Sequence, residues 1–322
     1  MPTIVVSSPL PGNAIDVLRA RGHNVVVGEN LSGMGREGII ACLREHPEAE
    51  ALICLLSDPV DEGVLAQGPR LRIVANCAVG IDNLELGALR ARGIVATNTP
   101  GVLTDASADL AFALMLDACR RVSEGDRLVR SGQWKGWAPT LLLGVKVSAS
   151  TLGLIGFGRI GQAVAKRAQG FGMRVLYHSR NACAPELEQA LGARRVSLDA
   201  LIAESSIVSL HCPLTEETRG LMSRERLRSM RKGAVLINTA RGACVDEAAL
   251  AELLASGHLA AAGLDVYERE PSVHPELLRL PNVVLAPHIG SADRPTRERM
   301  AHMSAEAVLA VLEGRRPEHT VT

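Results

Sequence analysis

The 322-residue chain sets thirty-five Lys and Arg against thirty-five Asp and Glu, a formal net charge of zero. That balance leaves no positive excess to displace the counterions of a nucleic-acid backbone. Three Phe, two Tyr and two Trp give few platforms for base stacking, so nucleic-acid binding is not expected.

At roughly 100–200 residues per domain, the length predicts two domains with separate cores. No apolar run is long enough to cross a bilayer, and no membrane partner is expected. The start, Met1-Pro2-Thr3-Ile4-Val5-Val6, lacks the basic and apolar regions of a signal peptide and reads as a first strand. Cys42, Cys54, Cys77, Cys119, Cys183, Cys212 and Cys244 are scattered, odd in number and without a Cys-x-x-Cys pair. They predict small buried residues in a reducing cytoplasm, with no disulfide framework and no metal site.

Short β-branched runs alternate with helical stretches, the pattern of parallel α/β architecture. Strands are predicted at 3–6, 24–27, 51–55 and 72–75, with helices near 12–20, 35–45, 60–66 and 84–91. Asn98-Thr99-Pro100-Gly101 is turn chemistry. The helix from Ala108 to Arg121 is apolar at every position from 110 to 116, which predicts burial on all sides. It reads either as an internal core helix or as part of a dimer interface. A second α/β block opens at Thr151, with strands at 151–155, 173–177, 207–210, 234–237, 261–264 and 283–285. A last helix, about 293–313, is placed to return to the first block. The expected organisation is a nucleotide domain, 99–287, inserted into a discontinuous domain, 1–98 plus 288–322, with the ligand cleft between them.

Gly156-Phe157-Gly158-Arg159-Ile160-Gly161 follows an apolar strand and opens a helix, the context a dinucleotide fingerprint requires. Gly156 would allow the tight turn, Gly158 the approach of a pyrophosphate, and Gly161 the close packing of helix on sheet. The helix N-terminus would hold the phosphates. The next strand ends in Tyr177-His178-Ser179-Arg180-Asn181, with no carboxylate between 171 and 185. An Asp or Glu here would hold a ribose 2′-hydroxyl and repel a 2′-phosphate. Ser179 and Arg180 suit the phosphate instead, with Arg159 and Arg174 as further positive charge. NADP(H) is therefore expected over NAD(H). The competing reading leaves Arg180 a solvated surface residue.

Three later strand ends carry polar groups. Asn238-Thr239-Ala240-Arg241-Gly242 presents an arginine able to grip a carboxylate with two hydrogen bonds. Leu264-Asp265-Val266-Tyr267-Glu268-Arg269-Glu270-Pro271 presents acids, and Pro287-His288-Ile289-Gly290-Ser291 a histidine. These motifs, in this order after the glycine loop, resemble the D-2-hydroxyacid dehydrogenase family. So do Cys54-Leu55-Leu56-Ser57-Asp58, Ala78-Val79-Gly80-Ile81-Asp82-Asn83 and Thr99-Pro100-Gly101-Val102-Leu103-Thr104-Asp105. The resemblance spans nearly the whole chain. Trp134-Lys135-Gly136-Trp137-Ala138-Pro139 and the Tyr-His-Ser-Arg strand end place it nearest the glyoxylate/hydroxypyruvate reductase branch.

That resemblance implies two doubly wound parallel-sheet domains, a Rossmann nucleotide-binding domain inserted into a flavodoxin-like substrate domain. It implies reduction of a small 2-oxoacid, glyoxylate or hydroxypyruvate, to the D-2-hydroxyacid. His288 would be the general acid, Glu270 its partner, and Arg241 the grip on the substrate carboxylate. A histidine suits proton transfer near neutral pH, and a carboxylate beside an imidazole favours its charged form. Glu268 competes with Glu270, and the Glu-Pro step favours Glu270. Val79 and Gly80 would offer backbone N–H groups to the substrate, with Leu56, Ser57 and Ser291 nearby. Asp265 would orient the nicotinamide carboxamide. Thr104, Ile160, Cys212, Pro213, Thr218, Thr239 and Ala240 complete the expected cofactor contacts. His211, His258 and Cys77 read as structural.

A homodimer is implied, in which Trp137 would reach the neighbouring subunit's substrate pocket; the competing reading packs it under the helix 108–121. A corepressor-like interaction protein that senses NAD(P) on the same fold is the alternative function.

Overall fold

Twelve extended runs, most of them buried, organise the chain; the computed structural model describes residues 1–322. They are β1 (Thr3–Val6), β2 (Asn24–Val27), β3 (Ala49–Cys54), β4 (Ile73–Asn76), β5 (Val95–Thr97), β6 (Thr151–Ile155), β7 (Arg174–His178), β8 (Ala193–Arg195), β9 (Ile207–Leu210), β10 (Ala234–Asn238), β11 (Leu259–Leu264) and β12 (Val283–Leu285). Every pairing between them is parallel. The two strands missed by the sequence reading, β5 and β8, are three residues long and lie at sheet edges, where little hydrophobic pattern can accumulate.

The chain divides into two compact units, Met1–Leu103 with Ser291–Thr322, and Thr104–Gly290. The junctions fall beyond the expected 98/99 and 287/288, so His288 belongs with the nucleotide unit. Hydrogen bonds explain this: the His288 N–H donates to the Asp265 carbonyl at 2.9 Å, and the Ile289 and Gly290 N–H groups donate to the Asp265 carboxylate at 2.7 and 2.8 Å.

The first unit holds a five-stranded sheet in the order β2-β1-β3-β4-β5, the flavodoxin-like doubly wound order. Both faces are covered. Ile39, Leu43, Leu65 and Leu89 pack on one side. On the other, Ala301, Ala305 and Val308 come from the C-terminal helix Arg294–Leu312. That helix starts where Asp293 accepts the Thr296 N–H at 2.7 Å, a side-chain cap of the ordinary kind. Its return to the first block is as the sequence predicts.

The second unit holds a seven-stranded sheet in the order β12-β11-β10-β9-β6-β7-β8. The order reverses between β6 and β9, and ligands of open α/β sheets bind at such a switch point, beyond the carboxyl ends of the strands. Leu201, Leu227 and Leu250 lie in the core on one face; Phe112, Met115, Val164 and Ala165 lie in the core on the other. The helix Thr104–Arg120 packs so closely on β11 that a Cβ on Gly263 would sit 3.0 Å from the Leu114 Cβ. It is not buried all round as expected. Asp105, Asp109 and Ala113 form an exposed stripe at i, i+4 spacing, and Arg167 crosses it to pair with both aspartates at 3.0 and 2.6 Å. No helix is long and apolar enough to cross a membrane.

Candidate active site

The carboxyl ends of β6 and β9 form the first part of the site. Gly156 adopts φ +93°, and a Cβ there would lie 2.6 Å from the Cys212 nitrogen and the His211 carbonyl. The two strand ends therefore meet backbone to backbone, and only glycine fits. A Cβ on Gly161 would lie 2.4 Å from the Gly156 oxygen, whereas one on Gly158 would meet nothing within 4 Å. Two glycines thus serve internal packing, and the third leaves open space before the helix Arg159–Gln169. That helix has no side-chain N-cap and no acid in its first turn, so its N–H groups and dipole remain available to an anion. Arg159 is exposed on its first turn, and Ile160 beside it is half-buried. The Thr239 hydroxyl at the end of β10 is buried without a hydrogen-bond partner, an arrangement that a bound polar group would complete. These features fit a dinucleotide.

Beyond β7, Ser179 is half-buried and Arg180 exposed. Arg195, at the end of β8, donates to the Ser179 and Arg180 carbonyls at 2.9 and 2.8 Å and fixes their turn. The sequence reading overlooked Arg195, because its strand is too short to be seen. Arg174 does not join this cluster. It begins β7 at the opposite edge of the sheet and pairs with Glu204. On the facing loop Cys212 is buried and Pro213 exposed. The Thr218 hydroxyl is engaged inside its own loop, donating to the Pro213 carbonyl at 2.6 Å and accepting from the Thr215 N–H at 2.7 Å. Ala240 is buried, and Thr104 is half-buried at the start of its helix.

The ends of β10, β11 and β12 bring the polar residues together. His288 Nδ1 lies 2.7 Å from Glu270 Oε2, and the Tyr267 N–H donates to the other Glu270 oxygen at 3.1 Å. Burial pushes the Glu270 carboxyl up, but the hydrogen bond and charge of His288 and the nearby Arg241 outweigh it, so the carboxyl sits below its ordinary value. His288 has φ +53°, an uncommon left-handed conformation for histidine, held by its bond to Asp265. Asp265 is 1 % exposed. Burial raises its carboxyl against the pull of the Ile289 and Gly290 N–H groups. The Tyr267 hydroxyl donates to the Ala286 carbonyl at 2.8 Å and braces β11 against β12. Arg241 is half-buried and turns one guanidinium nitrogen onto the Ala240 carbonyl at 2.8 Å. Glu268 is exposed and makes no hydrogen bond to His288; Glu270 is the acid beside the ring.

In the first unit, Leu56 and Ser57 lie exposed after β3, and Val79 and Gly80 half-buried after β4. Three asparagines not singled out from sequence shape these loops. Asn98 holds the Val79 carbonyl at 2.8 Å and Asn76 the Gly80 carbonyl at 2.7 Å. Asn83 holds the Leu55 and Asp58 carbonyls at 3.1 and 3.0 Å. Fixing those carbonyls fixes the peptide planes, and with them the direction of the neighbouring N–H groups. Ser291 is half-buried at the unit's second entry point. Trp137 is 84 % exposed and Trp134 52 %; neither packs under the helix Thr104–Arg120, which removes the packing alternative.

Comparisons with known proteins converge on one kind of enzyme. The family model for the D-isomer specific 2-hydroxyacid dehydrogenase NAD-binding domain matches residues 112–290. The glyoxylate reductase of Pyrococcus horikoshii is 51 % identical over 98 % of this chain and 94 % of its own length. That of Thermococcus litoralis is 45 % identical over 99 % and 96 %. The crystal structure of an NADPH-dependent glyoxylate/hydroxypyruvate reductase from Sinorhizobium meliloti, in complex with NADP and malonate, superposes with a TM-score of 0.87. It is 31 % identical and covers 100 % of this chain and 97 % of that one.

Proposed function

The chain belongs to the D-isomer specific 2-hydroxyacid dehydrogenase family, and from that premise we propose that it is an NADPH-dependent reductase of glyoxylate and hydroxypyruvate in which His288 is the proton donor. That it is an NAD(P)-dependent 2-hydroxyacid dehydrogenase acting on a 2-oxoacid follows from its relatives; the corepressor-like reading is not favoured. The observation that carries the proposal is the 2.7 Å contact of His288 with Glu270 beside Arg241.

The bound nicotinamide cofactor would supply the hydride. The residues of this chain do the rest. His288 donates the proton to the carbonyl oxygen from Nε2, because Nδ1 is held by Glu270. Glu270 orients the ring and stabilises its charged form. Arg241 binds the substrate carboxylate and polarises the carbonyl. In the first unit, Val79 and Gly80 offer backbone N–H groups suited to a carboxylate, and Leu56, Ser57 and Ser291 are the further residues assigned to substrate contact. Asp265 would hold the nicotinamide amide. The Gly158–Gly161 helix start takes the pyrophosphate. Thr239, Ala240, Thr104, Ile160, Cys212, Pro213 and Thr218 line the cofactor.

Preference for NADP(H) rests on the Ser179–Arg180 turn, its lack of a carboxylate and its support by Arg195. The S. meliloti structure was solved with NADP. A homodimer would cover Val122, Val129, Trp137 and Leu143 of the segment 122–143, each more than half exposed. In that dimer Trp137 walls the partner's substrate pocket. The scattered cysteines support a cytoplasmic setting.

The test is steady-state oxidation of NADPH and of NADH across a panel of glyoxylate, hydroxypyruvate, pyruvate and longer 2-oxoacids. Turnover of the two smallest polar substrates with a higher kcat/KM for NADPH is expected. No turnover of either, or equal or better use of NADH, contradicts the corresponding part of the proposal.

A further inference from the structure

Three acids in this fold are buried: Asp58, Asp265 and Glu247. Asp58 accepts the Leu55 and Gly35 N–H groups at 2.8 Å each. Asp265 accepts those of Ile289 and Gly290. Each therefore pins a loop in place. Glu247 is the third, is 6 % exposed, and has no part in the chemistry above.

It opens the helix Glu247–Ala255, directly after the turn that carries Arg241. Its Oε1 accepts the Glu268 N–H at 2.8 Å, two residues before Glu270. Burial, with the like charge of Glu268, raises its carboxyl against the pull of the Glu268 N–H and of His274. Glu268 and His274 are the titratable groups facing it. The carboxylate thus holds the loop 268–274, which bears Glu270, by its Glu268 end. A second contact ties the same two segments: a Cβ on Gly242 would lie 1.8 Å from the Tyr267 carbonyl carbon and 2.3 Å from the Glu268 nitrogen. The Arg241 turn and the Glu270 loop are packed backbone on backbone.

We propose that Glu247 is a positioning residue that holds the Glu270 loop against the Arg241 turn, and so sets the Glu270–His288 hydrogen bond. The argument is geometric. Glu270 receives one backbone N–H, from Tyr267, and the next N–H along the chain, that of Glu268, is the one Glu247 takes. Without Glu247 the Glu268 N–H loses its protein acceptor, and the loop is free to shift toward water, which supplies another. Glu270 moves with it and His288 loses its partner. Supporting groups of this kind keep reacting groups within a fraction of an ångström of their working geometry, and a displacement of about 1 Å can cost on the order of 10²-fold in rate.

This rests on the reading of Glu270 and His288 given above. The experiment compares Glu247→Ala, Glu247→Gln and Glu247→Asp with Glu270→Gln, measuring Tm, kcat, KM for NADPH and the pH profile of kcat/KM for glyoxylate. Glu247→Ala is expected to lower kcat by about 10–100-fold with KM for NADPH within about twofold, and to move the alkaline limb of the profile to lower pH, as Glu270→Gln does. Glu247→Gln, which keeps an acceptor oxygen, is expected to recover at least part of both effects. A lowered Tm with kcat and the alkaline limb unmoved would make Glu247 a plain stability residue and overturn the proposal. If Glu247→Ala does not fold, Glu247→Asp keeps the charge and withdraws the acceptor by one methylene; an unmoved limb there overturns it equally. If Glu270→Gln leaves the limb in place, the Glu270–His288 reading itself fails, whatever Glu247 does.

Discussion

His288 Nδ1 and Glu270 Oε2 stand 2.7 Å apart on two different strand ends, and the contact lowers the Glu270 carboxyl below its ordinary value despite burial. Glu270 is therefore ionised at neutral pH, and its charge favours the imidazolium that gives up a proton in 2-oxoacid reduction. Glu270→Gln keeps the shape and removes the charge. Removing the charge that favours the imidazolium should move the alkaline limb of kcat/KM to lower pH. An unmoved limb would sever Glu270 from proton donation.

Arg180 and Ser179 lie in the turn after β7 and suit a 2′-phosphate, and Arg195 fixes that turn through its carbonyls. Arg180→Ala should lower kcat/KM for NADPH by roughly tenfold, the worth of a charge-assisted contact, and leave that for NADH within about twofold. Equal losses for both cofactors would mean that Arg180 does not read the phosphate.

His211 follows β9 beside the glycine loop, with its ring 2.9 Å from the Ser209 hydroxyl. Burial pushes it down to about 4 from 6.5. The sign follows from linkage. The unfolded chain takes up a proton at a higher pH than the folded one, so His211 stabilises the fold above pH 6.5. That contribution, about 3 kcal/mol at most, is lost as pH falls from 6.5 toward 4. Urea unfolding of His211→Asn, which cannot titrate, should show a shallower loss of stability across that interval than the wild type. Parallel curves would mean that the ring is not sequestered.

Trp137 is 84 % exposed, a costly placement for the largest side chain unless a partner covers it. Trp137→Ala should raise KM for glyoxylate several-fold with little change in Tm at high protein concentration. An unchanged KM for every 2-oxoacid would remove Trp137 from the pocket.

Much of this was legible in the sequence because the informative signals are local. Strands of four to six residues with continuous Val, Ile and Leu announce parallel, doubly covered sheets, and the glycine loop is diagnostic once strand and helix flank it. Arg241, Asp265, Glu270 and His288 could be placed because each follows a recognisable strand. Signals that depend on the third dimension were not available. Arg174 looked like further positive charge for the Arg180 site, yet the length of β7 separates them. The helix Thr104–Arg120 looked buried all round, because nothing local reveals that Arg167 bridges Asp105 and Asp109 over an open stripe. His288 looked like the first residue of the returning segment, whereas its hydrogen bond to Asp265 keeps it with the second unit. Asn76, Asn83, Asn98, Arg195 and Glu247 act by holding backbone groups, and no spacing in the chain marks such a role.

The central claim is that His288 delivers the proton to a 2-oxoacid. The most direct measurement is His288→Ala, with NADPH affinity from fluorescence titration and kcat with glyoxylate from steady-state turnover. NADPH affinity should stay within about twofold while kcat falls by roughly 10²–10⁴-fold, the worth of a positioned general acid. A retained kcat with intact NADPH binding would contradict the account.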